Sequence, residues 1–288
     1  MRSDLMKINK GVMLAILSSF TFSIMNVLVK SVSSRIPSNE IAFFRGIIGT
    51  ILILILMKTS NVKFSKEQKP LLLLRGMLGG LYMVTYFFAI STMKLGDAAI
   101  LAHLSGFFVM IFASIFLKEK LPKNAWIFII IILFGAALII NPFRYSTYSF
   151  YAIFGLLSAI LSASASITIR KLAKSKKHHH YEIVFYFLAA STIVAAILMR
   201  NNFVVPTVRE FILLFILGAV SLLAQIFLTG AFGNANAVIV EVVRYIGIFF
   251  NTAWGFLLFG EALSMYSIIG GILIVGASIV LSRQKTVA

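Results

Sequence analysis

Residues 40–57 (EIAFFRGIIGTILILILM) return as residues 182–199 (EIVFYFLAASTIVAAILM), identical at 8 of 18 positions with a fixed offset of 142. The same offset relates Leu71 and Leu72 to Leu213 and Leu214, Gly76 to Gly218, Ala89 to Ala231, and Glu119 to Glu261. Each copy carries five apolar runs. An odd number of membrane crossings turns the second copy over relative to the first. Such a chain is expected to fold as two halves of opposite orientation, the inverted-repeat design of secondary transporters.

Composition requires the bilayer. Hydrophobic residues make up 60% of the chain and charged residues 12%, with a mean hydropathy of +1.00. A soluble domain of this length needs a charged surface that this sequence cannot supply. The formal charge of +17 would suit a nucleic-acid binder if it were gathered on one face. Instead, lysine and arginine fall in short tracts between apolar runs of roughly 17 to 23 residues, the length that crosses about 30 Å of hydrocarbon. They read as topology signals and contacts with anionic membrane lipid, and no nucleic-acid partner is expected. Cysteine is absent, which removes disulfides, cysteine metal sites and thiol chemistry.

Ten transmembrane helices are expected, near residues 12–33, 40–57, 71–91, 98–117, 125–141, 149–169, 182–199, 211–231, 237–259 and 266–282. All five prolines (Pro37, Pro70, Pro122, Pro142 and Pro206) fall between these spans or at their edges, as suits a residue that lacks an amide donor. Helices are the only choice for such runs, because an open strand leaves its backbone unpaired in lipid. The expected fold is thus an all-α integral membrane protein, with one five-helix repeat in residues 1–141 and its inverted partner in 142–288. The first span has the basic start of a signal peptide. Its length, and the match of Ser18 and Lys30 to Ser158 and Arg170 at an offset of 140, make it a structural helix instead.

Orientation follows from the cations. With the N-terminus in the cytosol, 17 of the 26 lysines and arginines lie in inner segments, 6 in outer segments and 3 inside spans. The positive-inside rule then places both termini in the cytosol and the chain in the cytoplasmic (inner) membrane.

Groups that lipid would reject mark candidate transport residues. An ionisable side chain at the bilayer centre costs about 2.5–3.5 kcal/mol on insertion scales. Arg244 lies roughly 10 Å into the ninth span by helical rise, with Glu241 one turn earlier on the same face. The pair reads either as a substrate-facing cation tuned by an acid or as a self-neutralising structural pair. Tyr245, beside Arg244 and followed by Ile246-Gly247, suits a lining surface. Arg45 and Arg75 lie near opposite ends of the second and third spans, where each either snorkels to the headgroups or faces inward. Arg75 is expected to be gating or structural. His103 is a candidate substrate or proton ligand, or else a packed histidine. Three arginines against one glutamate leave a positive surplus that favours an anionic or zwitterionic solute. Asn26, Tyr82, Tyr86, Asn251 and Trp254 are further polar or amphipathic candidates for substrate contact. Ser18, Ser19, Ser23, Ser158, Ser162, Ser164 and Ser166 read as helix-packing residues. His178-His179-His180 sits among Lys174, Lys176 and Lys177, so a solvated loop is expected there rather than a metal site. No cofactor is called for.

The segments Phe116-Leu117-Lys118-Glu119-Lys120-Leu121 and Leu258-Phe259-Gly260-Glu261-Ala262-Leu263 close the fourth and ninth spans at matched positions. Each precedes a helix with small residues, Gly135-Ala136-Ala137 and Gly276-Ala277. Together with ten spans in inverted halves, this resembles the EamA family of the drug/metabolite transporter superfamily across essentially the whole chain. The resemblance implies a pseudo-twofold bundle around a cavity lined by the first, third, fourth, sixth, eighth and ninth spans, with the fifth and tenth at the periphery. It also implies alternating access without ATP. Glu119 and Glu261 match the family's motif glutamates and read as capping or gating contacts. The chain departs from many relatives in carrying Gly106 and Ile248 where the fourth and ninth helices usually hold proline.

The function expected is secondary active transport of a small organic metabolite (an amino acid, carboxylate or nucleotide-like solute such as S-adenosylmethionine). The alternative is export of drugs or other amphipathic solutes, with a channel as a more distant reading. A membrane enzyme is not expected, since only Asp97 lies even at a span edge and no aspartate pair can form a metal or protease centre. One chain holds both halves, so a monomer suffices and a dimer stays compatible.

Overall fold

The computed structural model describes residues 2–116, 125–140, 147–175, 177–200, 203–235 and 237–283. The described residues form twelve helices: α1 (Arg2–Val32), α2 (Ser38–Thr59), α3 (Lys69–Thr92), α4 (Leu95–His103), α5 (Ser105–Phe116), α6 (Ala125–Ile140), α7 (Thr147–Ser175), α8 (His180–Met199), α9 (Val208–Asn234), α10 (Ala237–Arg244), α11 (Ile246–Phe259) and α12 (Met265–Arg283). Eight segments are long and apolar enough to cross a membrane, counting α4 with α5 and α10 with α11. Shorter apolar stretches at Ile130–Ile139 and Met265–Ala277 supply the fifth and tenth positions. Among the described residues no strand occurs.

Helix boundaries follow local chemistry. Pro70 stands in the first turn of α3, where a missing amide donor costs nothing. Thr207 and Glu210 form a reciprocal capping box at the start of α9. Gly260, at φ +63°, ends α11 in the left-handed conformation that glycine adopts freely.

Packing reveals the inverted symmetry. α1 lies along α9, and α3 along α7. The repeat relates α1 to α7 and α3 to α9, so the first pairing maps onto the second. α2 against α8, and α6 against α12, map onto themselves. α6 and α12 pack chiefly on each other, which sets them apart from the remaining helices. Their backbones meet at Gly135 and Gly270, where an added Cβ would come 2.8 Å and 2.5 Å, respectively, from the opposite residue's carbonyl oxygen. Large apolar side chains remain exposed along α2, α6, α9 and α12, as a lipid-facing surface requires.

Two repeat-related carboxylates fasten the halves together. Glu40 and Glu182 open α2 and α8 and are both buried. Glu40 Oε2 accepts the Val204 amide at 2.9 Å, and Glu182 Oε1 accepts the Ser65 amide at 2.8 Å. Each acid holds a loop of the opposite half. Glu182 Oε2 also lies 2.9 Å from His178 Nδ1. His178 is therefore buried, which corrects the expectation of a wholly solvated histidine tract; among the described residues no metal-type cluster forms. Burying an orphaned amide in place of a charge-assisted bond costs about 1–3 kcal/mol. Glu40→Ala and Glu182→Ala should each lower the thermal midpoint, Glu182→Ala by more because it also strands His178. As the two sites sit at opposite membrane faces, the double variant should show additive losses in a detergent unfolding assay.

Candidate functional site: a polar midplane cavity at two broken helices

The fourth and ninth spans, expected as continuous helices, are each interrupted at mid-length. Leu104 separates α4 from α5, and Tyr245 separates α10 from α11. Neither break uses proline. The Leu104 amide bonds the Leu101 carbonyl at 3.1 Å and the Tyr245 amide bonds Val242 at 3.2 Å, the i to i−3 spacing of a tightened turn. The breaks face one another. His103 and Tyr245, equivalent in the repeat, bring their ring centroids to 6.0 Å. A methyl on Gly106 would come 2.6 Å from Tyr245 Oη, and one on Gly247 would come 3.2 Å from His103 Nε2. Each ring thus occupies space left by a glycine at the other break.

His103 bridges the two. Its Nδ1 lies 2.7 Å from the Ala99 carbonyl and its Nε2 lies 2.9 Å from the Arg244 carbonyl. A neutral imidazole donates through one nitrogen only, so uptake of a proton is what satisfies both carbonyls.

Between the breaks lies a cavity lined by Asn26 and Ser19 of α1, Tyr82 and Tyr86 of α3, His103, Ser162 of α7, Arg244, and Gly247 and Asn251 of α11. Asn26 Nδ2 donates to Tyr86 Oη at 2.9 Å and to Asn251 Oδ1 at 2.8 Å. The Tyr82 and Tyr86 rings stack at 5.7 Å with planes 13° apart, so the i, i+4 pair forms one aromatic wall. Arg244 Nη1 donates to both Glu241 oxygens at 3.0 Å. Ser166 Oγ adds a third bond to that carboxylate at 2.9 Å. The cavity measures about 30 Å³. By the measure in which one water takes about 10–15 Å³, it has room for water but not for an organic solute. This is a closed state.

The remaining candidates take up other places around the cavity. Trp254 donates from Nε1 to Ser23 Oγ at 3.1 Å and packs against the core instead of lining the cavity. Glu241, bonded to Arg244, and Tyr245, whose ring lies against His103, are outside the lining itself. Ser19, Ser162 and Ser166, read as packing residues, serve the cavity or its acid; only their repeated occurrence in two equivalent helices hinted at this. α9, expected in the lining, does not contribute to it. The Glu119 motif falls outside the described residues.

Arg45 and Arg75 do not snorkel. Both are buried, at 0% and 3% exposure, and turn toward one side chain. Their guanidinium carbons lie 5.1 Å and 4.2 Å from the centre of the Phe187 ring. Among the described residues, Arg45 Nε, Nη1 and Nη2 and Arg75 Nε and Nη1 have no hydrogen-bond partner. Placing an arginine at mid-span costs about 2.5–3.5 kcal/mol, and a desolvated cation–π contact returns about 2 kcal/mol. Two guanidiniums sharing one ring remain under-compensated.

Both ends of the cavity are tied. At the face where α1 ends, Lys30 Nζ meets Glu261 Oε1 at 2.9 Å and the Met93 carbonyl at 2.5 Å. There Glu261 Oε2 also accepts the Leu95 amide at 2.7 Å, and Lys94 Nζ reaches the Ala262 carbonyl at 2.6 Å. At the opposite face, Arg170 Nη1 donates to the Phe232 and Ala235 carbonyls at 3.0 Å and 3.2 Å. Lys30 with Met93 and Arg170 with Ala235 are repeat equivalents.

Ten apolar segments in inverted halves, with two broken helices meeting at a polar midplane site, define a membrane transporter of small molecules. The chain belongs to the EamA-like transporter family, whose model matches residues 9–141 and 149–283. It is 53% identical over 283 residues to the pseudopaline exporter CntI of Pseudomonas aeruginosa, covering 98% of each chain. It is 28% identical to a riboflavin transporter of Brucella anthropi, covering 92% of this chain and 95% of that one. A crystal structure with 18% identity superposes with a TM-score of 0.66 over 99% of both chains, which shows the shared fold.

The absence of cysteine makes closure directly measurable. Ser19→Cys, the sole thiol, should resist a membrane-impermeant maleimide in the parent chain. In a Lys30→Ala background it should react from the face where α1 ends. Unchanged protection would remove Lys30 from the closing contact.

Proposed function

We propose that this chain exports pseudopaline, or a solute closely related to it, from the cytosol across the cytoplasmic membrane, with both termini cytosolic. The observation that supports this reading most strongly is the 53% identity to the pseudopaline exporter CntI along 98% of both chains. The midplane chemistry agrees with an organic anion as cargo. Arg244 reaches the cavity with one guanidinium edge held by Glu241, leaving its other donors for a solute oxyanion. The Tyr82–Tyr86 wall supplies an apolar and hydrogen-bonding flank, and Asn26 and Asn251 supply neutral polar contacts. Alternating access would proceed by releasing the Lys30–Glu261 contact on the outer side and the Arg170 contacts on the inner side in turn.

Expressed in Pseudomonas aeruginosa that lacks its own exporter, the chain should restore pseudopaline to the medium. Failure of well-expressed protein to do so would overturn the assignment. Arg244→Ala should reduce export at least tenfold, since a hydrogen bond to a charged group is worth about 1.5–3 kcal/mol.

His103 is the seat proposed for a coupling proton, because protonation completes its bridge between the two breaks. His103→Gln should flatten the dependence of transport on pH. A retained pH profile in everted vesicles would assign coupling elsewhere.

A further inference from the structure

The bundle carries its uncompensated charge away from the cavity. Arg244 faces Glu241, so that pair is close to neutral. Among the described residues Arg45 and Arg75 pair with no acid. Both guanidiniums lie within 5.1 Å of one ring centre, and their five unpartnered nitrogens sit among α2, α3 and α8 at almost no exposure. Each guanidinium is a planar fork built to accept a carboxylate edge.

The surrounding structure keeps room for them. A methyl on Gly79 would overlap both the Arg75 guanidinium and the Phe187 ring, so the bare glycine is what admits the pair. Arg75, Gly79, Tyr82 and Tyr86 follow one another at i, i+4, i+7 and i+11, a single face of α3. Tyr82 and Tyr86 line the cavity, and Tyr82 lies within electrostatic reach of Arg45, Arg75, Arg244 and Glu241. One helix face therefore runs from the cavity to the arginine pair, with Tyr82 as the partition. Repulsion between the two arginines adds to the demand for an anion.

We infer that Arg45 and Arg75 form a second anion subsite, beyond Tyr82 from the Arg244 cavity, which takes a further carboxylate of a di- or polycarboxylate solute. This rests on the reading of the cavity as an organic-anion site and narrows its substrate class to solutes with two or more acidic groups. The site is closed in this state and fills when the cavity widens. Its surroundings are protein rather than lipid, so a headgroup cannot supply the anion.

The test uses purified full-length protein in nanodiscs, titrated with acetate, succinate and citrate at constant ionic strength, with unfolding temperature and affinity as readouts. Citrate and succinate should stabilise the parent chain more than acetate. Arg45→Gln/Arg75→Gln should weaken citrate binding at least tenfold and leave the acetate response intact. It should also melt higher than the parent without anion, because two unpaired buried charges are gone; a merely structural staple would melt lower. Citrate affinity within twofold of the parent overturns the proposal. If the double variant does not fold, Arg75→Lys keeps the charge but loses the fork, and unchanged citrate affinity there overturns it equally. Loss of citrate binding in Arg244→Gln together with full binding in Arg45→Gln/Arg75→Gln would leave the anion cavity standing and remove the second subsite. Indifference of the parent chain to all three acids would remove both.

Discussion

A charge carried into hydrocarbon must find its counterpart within the protein or its cargo, and the arrangement of this bundle follows from how each one does so. Glu241 meets Arg244 and Ser166. Glu182 meets His178 and a loop amide, and Glu40 meets an amide of the other half. Lys30 meets Glu261 near the membrane face. Insertion costs of about 2.5–3.5 kcal/mol per arginine or aspartate at mid-span make each such contact decisive for where a helix can sit. Three of these contacts, Glu40 with Val204, Glu182 with Ser65 and Lys30 with Glu261, also tie one half to the other. Arg45 and Arg75 differ: both guanidiniums lie on the Phe187 ring, and five of their nitrogens have no hydrogen-bond partner among the described residues.

The scaffold is symmetric and the chemistry on it is not. Helix pairings map onto one another under the repeat, as do the Glu40 and Glu182 latches and the two broken spans. At the site itself the equivalents diverge: His103 corresponds to Tyr245, Arg45 to Phe187, Asn26 to Ser166, and Arg244 to Ala102. Architecture repeated in both halves lets the bundle open to either side with similar contacts. A cavity needs only one set of ligands, so its residues can differ between halves. The Arg45–Phe187 contact is instructive, because a residue stacks on its own counterpart where α2 and α8 cross.

Element number, inversion and the charged candidates were legible in the sequence because they depend on hydropathy, crossing parity and the cost of buried charge. Residues 40–57 and 182–199 marked α2 and α8 as repeat equivalents, while their contact with each other emerges only in the fold. Arg244, Glu241, Asn26, Tyr82, Tyr86, His103 and Asn251 could be named because lipid tolerates such groups only in an interior. The two helix breaks could not be seen. Proline is their usual marker, and here a tightened turn at Leu104 and another at Tyr245 do the same work, stabilised by contacts across the bundle. Arg45 and Arg75 were ambiguous for a related reason: a side chain long enough to snorkel is also long enough to turn inward. Only the position of α8, and the gap at Gly79, decides the direction. Trp254 could be named as amphipathic, but its indole donor is taken by Ser23 Oγ, a partner that depends on how α1 and α11 pack.

The closed state places a constraint on how the bundle opens. Lys30 and Arg170 are repeat equivalents that grip equivalent carbonyls at opposite faces, yet the Lys30 grip includes a carboxylate at 2.9 Å whose side chain is only 16% exposed. Partial burial strengthens that attraction relative to a fully solvated pair, which is worth about 1 kcal/mol or less. At the opposite face Arg170 is bonded to the neutral carbonyls of Phe232 and Ala235 rather than to a carboxylate. On the proposal that the cargo is an organic anion, Arg170, Arg244 and the arginine pair would present successive cations along its way to the midplane. Release toward the face where α1 ends would then require Lys30 and Glu261 to separate, and acidic groups on the solute that compete for Lys30 would lower the cost of that separation.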